Sequence, residues 1–265
     1  MIRPATIDDD EAIANIGRAF GFDDPDSAID QRYLAFVRAH GRLIVAEQET
    51  EVVGYGAMID VDGVCMIADL FLSEHFQNRG IGQQMLSALI DGYPNRMTAS
   101  SKHPAALPTY LRNGMVPQGS LHYLRGVTGP ADSSAEDAVT CSWTEAPQWL
   151  GDRADLVRYW TDRDLALAHF WTDGQLIGWA IVVHDEHWLI QRLVCHTSQP
   201  GECLRSLLAA LPAGEAVLLC VPETQQSTLV MLDTLRFERI DRDILCSSSP
   251  ELIPSSLVVL HPGLA

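Results

Sequence analysis

One order of strand-like and helix-like runs occurs twice in this chain. In the first series, strand-like runs at Leu43–Glu47, Val52–Val61 and Val64–Leu72 precede helical periodicity over Gly80–Ile90. A short strand near Met97, a helix from about Pro104 to Asn113 and a last strand pair near Val116 and Tyr123 complete it. The second series has strand-like runs at Leu165–Trp171, Gln175–His184 and His187–Cys195, then a helix from Pro200. A strand at Ala216–Val221, a helix around Ser227–Leu235 and a strand near Ile240–Leu245 follow. Strand, strand, strand, helix, strand, helix, strand is thus repeated at a period of about 130 residues, which implies an internal duplication. A chain of 265 residues holds two such units comfortably. The expected fold is α/β (α+β), with a mostly antiparallel sheet flanked by helices in each half.

Local signals refine the first half. Asp8 with Glu11 has capping-box spacing ahead of Ile13, Ile16 and Phe20, and Asp24-Pro25 opens a second helix carrying Ile29, Tyr33, Phe36 and Val37. Gly92 and Pro94 stop the helix whose apolar side is Ile81, Met85, Leu86, Leu89 and Ile90. The stretch from Gly126 to Asp137 is rich in turn formers. We therefore expect domains at 1–127 and 138–265 joined by a linker at 128–137. Up to Gly129 there are 16 acidic and 10 basic residues, a net of -6, against 19 and 8, a net of -11, beyond it. All six Trp lie after the boundary; a core role is expected for most.

This acidity excludes some functions. A net charge of -17 without clustered basic residues speaks against nucleic acid and anionic lipid as partners. No apolar run reaches membrane-spanning length and no export-signal core follows Met1, so a cytoplasmic protein is expected. The six cysteines are scattered, with no Cys-x-x-Cys, and are expected to be small buried thiols. His184-Asp-Glu-His187 has metal-ligand residue types, but its place between two strand-like runs makes it a polar hairpin turn, and no metal site is expected.

Chemistry concentrates at Asp69-Leu70-Phe71-Leu72-Ser-Glu-His-Phe-Gln77-Asn78-Arg79-Gly80-Ile81-Gly82-Gln83. An apolar strand leads through a polar connection into Gly-x-Gly at a helix start. Glycines there let main-chain N–H groups point outward, and the helix end adds roughly half a positive charge, a combination suited to a pyrophosphate. Gly-x-Gly alone is equally compatible with a tight turn.

The run Gln77-x-x-Gly80-x-Gly82 after Asp69-Leu-Phe-Leu resembles the acetyl-coenzyme A loop of the Gcn5-related N-acetyltransferases (GNATs). Ile2-Arg-Pro-Ala-Thr resembles that family's first strand, and Tyr110-Leu-Arg-Asn-Gly114-Met115 its Tyr-x-x-x-Gly-Phe segment. The resemblance implies two tandem acyl-coenzyme A N-acyltransferase-like domains with splayed, mixed sheets, the second degenerate. It implies acetyl-coenzyme A as co-substrate, held by Leu70, Phe71 and Leu72 along the pantetheine arm and by residues 77–83 at the pyrophosphate. Tyr110 would protonate the leaving thiolate, since a phenol of pKa about 10 suits a thiolate of about 8.5. The family's Glu-Asp pair reads Ala68-Asp69 here, which makes Asp69 the candidate base or water holder. His103 stands where relatives often have Asn.

The implied activity is transfer of an acetyl group to a primary amine of a small molecule or peptide; a non-catalytic acyl-coenzyme A sensor is the alternative. Asp23, Asp24 and Asp26 either attract a cationic amine or cap the second helix. A homodimer is compatible with this reading. In the second half, Gln199-Pro200-Gly201-Glu202-Cys203 replaces the loop: Pro200 removes an N–H donor and Glu202 adds negative charge. Leu232, ahead of Arg236-Phe237, stands at the tyrosine position.

Overall fold

The computed structural model describes residues 1–20, 28–61, 63–129, 139–144, 164–184, 186–197 and 200–262. The chain divides into two compact units, one built from 1–118 with 246–252, the other from 119–245 with 253–262.

The first unit opens with β1 (Ile2–Pro4), α1 (Asp10–Ala19) and α2 (Ala28–His40), followed by the strands β2 (Gly41–Gln48), β3 (Glu51–Val61) and β4 (Val64–Leu72). Next come α3 (Ile81–Ile90), β5 (Asn95–Ser100) and α4 (Ala106–Leu111). β1 through β4 pair antiparallel in sequence order, and β5 joins β4 in parallel, so the sheet is mixed. α3 buries Ile81, Met85, Leu86, Leu89 and Ile90, the stripe anticipated from its 3.6-residue period. It approaches β3 so closely that a Cβ on Gly56 would stand 2.8 Å from Leu89 Cδ1, which explains glycine at that strand position.

The expected capping box at Asp8 and Glu11 lies instead at Thr6 and Asp9, where a 3-10 turn (Ile7–Asp9) precedes α1. Asp9 accepts from the Thr6 N–H at 2.7 Å, and Arg3 forks onto both of its carboxylate oxygens at 2.8 Å. The Arg3 guanidinium holds the Asp9 carboxyl well below the usual carboxylate range. A carboxyl with a depressed folded-state pKa stabilises the fold above its unfolded pKa of about 3.9 and loses that contribution as pH falls further. Urea unfolding should therefore show wild type more stable than Asp9→Asn at neutral pH, with the difference shrinking steadily as pH falls below about 4.

In the second unit, the part of β6 (Val116–Val127) from residue 119 onward pairs antiparallel with β11 (Ala216–Pro222). β7 (Thr140–Thr144), β8 (Asp164–Thr172), β9 (Gln175–His184) and β10 (Trp188–Cys195) form an antiparallel run, and β10 pairs with β11 in parallel. The helices α5 (Pro200–Ala210) and α6 (Gln226–Thr234), and the strands β12 (Glu238–Ser247) and β13 (Leu257–Leu260), complete the chain. Phe170, Ile190, Leu204, Leu207 and Leu232 form the middle of its core. The element order of the first unit recurs here, as the duplication requires.

Some expectations change. The strand pair near Val116 and Tyr123 is one continuous strand, β6, with Gly119 at φ +133°. β7 and β13 were not read from the sequence. Cys195 and Cys203 form a disulfide across the β10–α5 connection instead of remaining thiols, while Cys65, Cys141, Cys220 and Cys246 stay free. His184 ends β9, with Glu186 and His187 in the hairpin turn to β10; its Nε2 lies 3.4 Å from Glu215. No helix among the described residues is long and apolar enough to cross a membrane.

Candidate functional site

The site lies in the first unit, where β4 and β5 part. Their parallel pairing runs from Val64 opposite Asn95 to Ile67 opposite Thr98, while β4 continues to Leu72 beside β3. At the fork, the Thr98 hydroxyl donates to the Ile67 carbonyl at 3.0 Å. Beyond it, among the described residues, that side of β4 pairs with no strand, which leaves a gap in the ladder.

Register decides which groups face that gap. The Ser73 N–H donates to the Val53 carbonyl at 2.9 Å, in line with Phe71 opposite Tyr55 and Leu72 opposite Gly54. Main-chain groups of antiparallel neighbours alternate in direction, so those of Phe71 turn to β3 and those of Leu70 and Leu72 turn away from it. Phe71 also packs its ring against Phe20 and Tyr55, at 5.1 and 5.4 Å between centroids. The Leu72 carbonyl accepts from the Gln77 side-chain amide at 3.0 Å, which ties the loop to the strand end.

A 3-10 turn (Glu74–Phe76) follows, and the Gln77 N–H donates within it to the Glu74 carbonyl at 3.1 Å. Asn78 and Gly80 adopt positive φ, +60° and +80°, and Gly80 is the N-cap of α3. Among the described residues, no protein acceptor takes the N–H groups of residues 78–83, and helix bonding begins with Gln84 N–H to Gly80 O. This row of donors at the start of a ten-residue helix fits an anionic diphosphate.

The two glycines have different reasons. Gly80 is required by its left-handed conformation. Gly82 has no such φ, and a Cβ there would meet no protein atom within 4 Å. Neither protein packing nor conformation demands a glycine at 82; its absent side chain leaves the backbone there open from outside. Arg79 is exposed and lies over the Phe76 ring at 5.4 Å. Gln83 is held by Asn113 through a reciprocal amide pair, 3.0 and 3.1 Å, which couples the first turn of α3 to the end of α4.

Tyr110 is buried on α4. Its carbonyl accepts the Met115 N–H at 3.2 Å around Gly114, at φ +75°, a left-handed helix end. The second unit repeats that turn: the Phe237 N–H reaches the Leu232 carbonyl at 2.9 Å around Arg236, at φ +63°. Leu232 therefore occupies the tyrosine's structural position without a hydroxyl. His103 is exposed, and its Nδ1 accepts the Ala105 N–H at 3.2 Å, ahead of α4.

Asp69 projects to the same side of β4 as Phe71 and is half-buried. Its Oδ2 accepts the Tyr33 hydroxyl of α2 at 2.5 Å. Tyr33 was legible only as part of an apolar stripe, and Asn113 only as an internal residue of a motif; neither sequence signal indicates these partners. Asp23, Asp24 and Asp26 lie outside the described residues. A groove along α1, lined by Arg3, Asp9, Asn15, Glu47 and Glu51, reaches Ser73 just past the end of β4, and its Asp9 and Glu47 are both bound by Arg3.

Residues 10–115, which carry every element of this site, match the family model described as acetyltransferase (GNAT) family. This segment belongs to the GNAT family. No curated protein matches the chain. Among solved structures, a candidate acetyltransferase from Pyrococcus horikoshii is similar over 100% of this chain and 95% of its own, at 17% identity and a TM-score of 0.74. A GCN5-related N-acetyltransferase from Sphaerobacter thermophilus is similar over 93% of this chain and 94% of its own, at 13% identity and a TM-score of 0.62. A tandem GNAT protein from the clavulanic acid biosynthesis pathway is similar over 94% and 99%, at 14% identity and a TM-score of 0.60. At these identities the likeness concerns the fold, and it extends the GNAT architecture over both units.

Proposed function

We propose that the first unit is an acetyl-coenzyme A-dependent N-acetyltransferase acting on a primary amine of a small molecule or peptide. The observation that carries this reading is the pairing of two features in one gap. One is a splayed strand end with Leu70 and Leu72 main-chain groups turned outward. The other is a Gly-x-Gly helix start whose N–H groups have no protein acceptor among the described residues. The first suits an extended pantetheine arm and the second its diphosphate. Membership of residues 10–115 in the GNAT family supports the donor class and an amine acceptor.

In this mechanism the amine nitrogen attacks the thioester carbonyl, the carbon–sulfur bond breaks, and coenzyme A leaves as its thiol. Holding both reactants in one gap makes the attack effectively unimolecular. Outward N–H groups at the β4 end polarise the carbonyl oxygen. Asp69, directly or through a water, takes the proton that the amine nitrogen loses, with the Tyr33 hydroxyl fixing the carboxylate. Tyr110 gives its phenolic proton to the departing sulfur and is reprotonated from solvent. Gln77 and the Gln83–Asn113 pair position the loop and α3.

Amine-dependent release of coenzyme A thiol, measured across a panel of primary amines, tests the reading. Tyr110→Phe should lower kcat about 10- to 100-fold while leaving the Kd for coenzyme A unchanged, because the hydroxyl acts on the leaving group and not on the cradle. An unchanged kcat in that variant would remove Tyr110 from the acid role.

A further inference from the structure

The second unit contains the same fork, and a different occupant fills it. β10 and β11 pair in parallel from Trp188 opposite Val217 to Ile190 opposite Leu219, three positions compared with four in the first unit. Past that point β10 takes β13 as an antiparallel neighbour, with Arg192 opposite Leu260, Leu193 opposite Val259 and Val194 opposite Leu257. These β10 residues correspond to the end of β4, the stretch that borders the gap in the first unit.

The strand is held by its main chain and its side chains. The Cys195 N–H donates to the Ser256 carbonyl at 2.8 Å, and the His261 N–H donates to the Gln191 carbonyl at 2.9 Å. Gln225, buried at the N-cap of α6, donates its side-chain amide to the Ser255 and Leu257 carbonyls at 2.6 and 2.9 Å. Leu257, Val258, Val259 and Leu260 are all buried, with no more than 3% exposure. These four consecutive apolar residues are covered on both faces, and among the described residues β10 is the strand that β13 pairs with.

The mouth of this fork is also altered. The Cys195–Cys203 disulfide ties the end of β10 to α5 where the first unit has its open N–H row. Pro200 begins α5 without a donor, and Glu202 puts a carboxylate in its first turn. Each change disfavours a diphosphate.

We propose that the fork of the second unit is a strand-binding site, occupied in cis by residues 257–260, which takes an extended apolar polypeptide and not a pantetheine arm. The chain then carries one acyl-coenzyme A site. The exclusion of pantetheine rests on the reading of the first unit given above, whereas the strand site stands on β13 alone. β13 does here what an added strand does in β-augmentation, with main-chain bonds to β10 and its four apolar side chains buried.

Hydrogen exchange on the full-length wild-type chain, with and without saturating coenzyme A, tests this, alongside calorimetric stoichiometry. Amides of 257–260 should exchange at least about 1,000-fold more slowly than in an unfolded chain, at rates unchanged by coenzyme A, while residues 70–82 gain protection. One coenzyme A should bind per chain. Fast exchange in 257–260, deprotection there on adding coenzyme A, or two molecules bound per chain would each overturn the proposal. Slow exchange in 257–260 without added protection at 70–82 would uphold the strand site and overturn the reading of the first unit.

Discussion

Gly82→Asp should lower the affinity for coenzyme A by 100-fold or more, about 3 kcal/mol, without destabilising the chain. The two halves of this expectation have separate causes. An Asp in the first turn of α3 is favourable for the helix itself, because its charge meets the positive end of the helix dipole. Its Cβ enters space where no protein atom lies within 4 Å, so the fold does not resist it. The same carboxylate stands where a diphosphate would lie and repels it. The thermal midpoint in the absence of ligand should therefore be equal to or above that of wild type, while titration with coenzyme A fails. Gly82→Ala separates size from charge and should cost less than the Asp variant. Unchanged affinity in Gly82→Asp would refute the cradle.

Asp69→Asn should reduce kcat by roughly 100- to 1,000-fold, within the range for losing a general base. The substitution keeps the size of the side chain and an oxygen able to accept the 2.5 Å bond from the Tyr33 hydroxyl. It removes only the charge and the ability to take a proton. Affinity for coenzyme A should stay within about twofold of wild type, because Asp69 points to the Phe71 side of β4 while the outward main-chain groups belong to Leu70 and Leu72. Stopped-flow or steady-state kinetics with a reactive amine, paired with calorimetry, separates these quantities. A kcat that survives the substitution would remove Asp69 from the mechanism.

Much of this architecture was legible because it depends on local pattern. The buried stripe of α3, the β2–β4 meander and the Gly-x-Gly helix start all follow from residues close in sequence. The duplication was legible for the same reason, and the matching turns at Gly114 and Arg236 give it a structural form. What the sequence hid depends on pairings over long separations. Tyr33 bonds Asp69 across 36 positions, and Gln83 finds Asn113 across 30. Leu257–Leu260 is a four-residue apolar run, too short for periodicity to classify, and its partner strand β10 lies about 65 positions earlier. The disulfide escaped a compositional argument about scattered cysteines because strand-to-helix geometry, not spacing, brings Cys195 to Cys203.

The capping box was displaced for a related reason. Asp8 and Glu11 have the right types, but Arg3 on β1 selects Asp9, and that ion pair fixes where the turn into α1 begins. Acidity, which suggested solubility or a cationic partner, is spent in part on such internal bonds: Asp9 and Glu47 on Arg3, and Asp10 on Arg38.

The most direct test of acyl transfer by the first unit is mass spectrometry of a primary-amine panel incubated with acetyl-coenzyme A and either wild type or Asp69→Asn. The account predicts at least one amine acetylated on nitrogen by wild type, with stoichiometric release of coenzyme A and at least 100-fold slower product formation by Asp69→Asn. Tight coenzyme A binding with no acetylated amine in any wild-type reaction would contradict it and identify the first unit as a binding module.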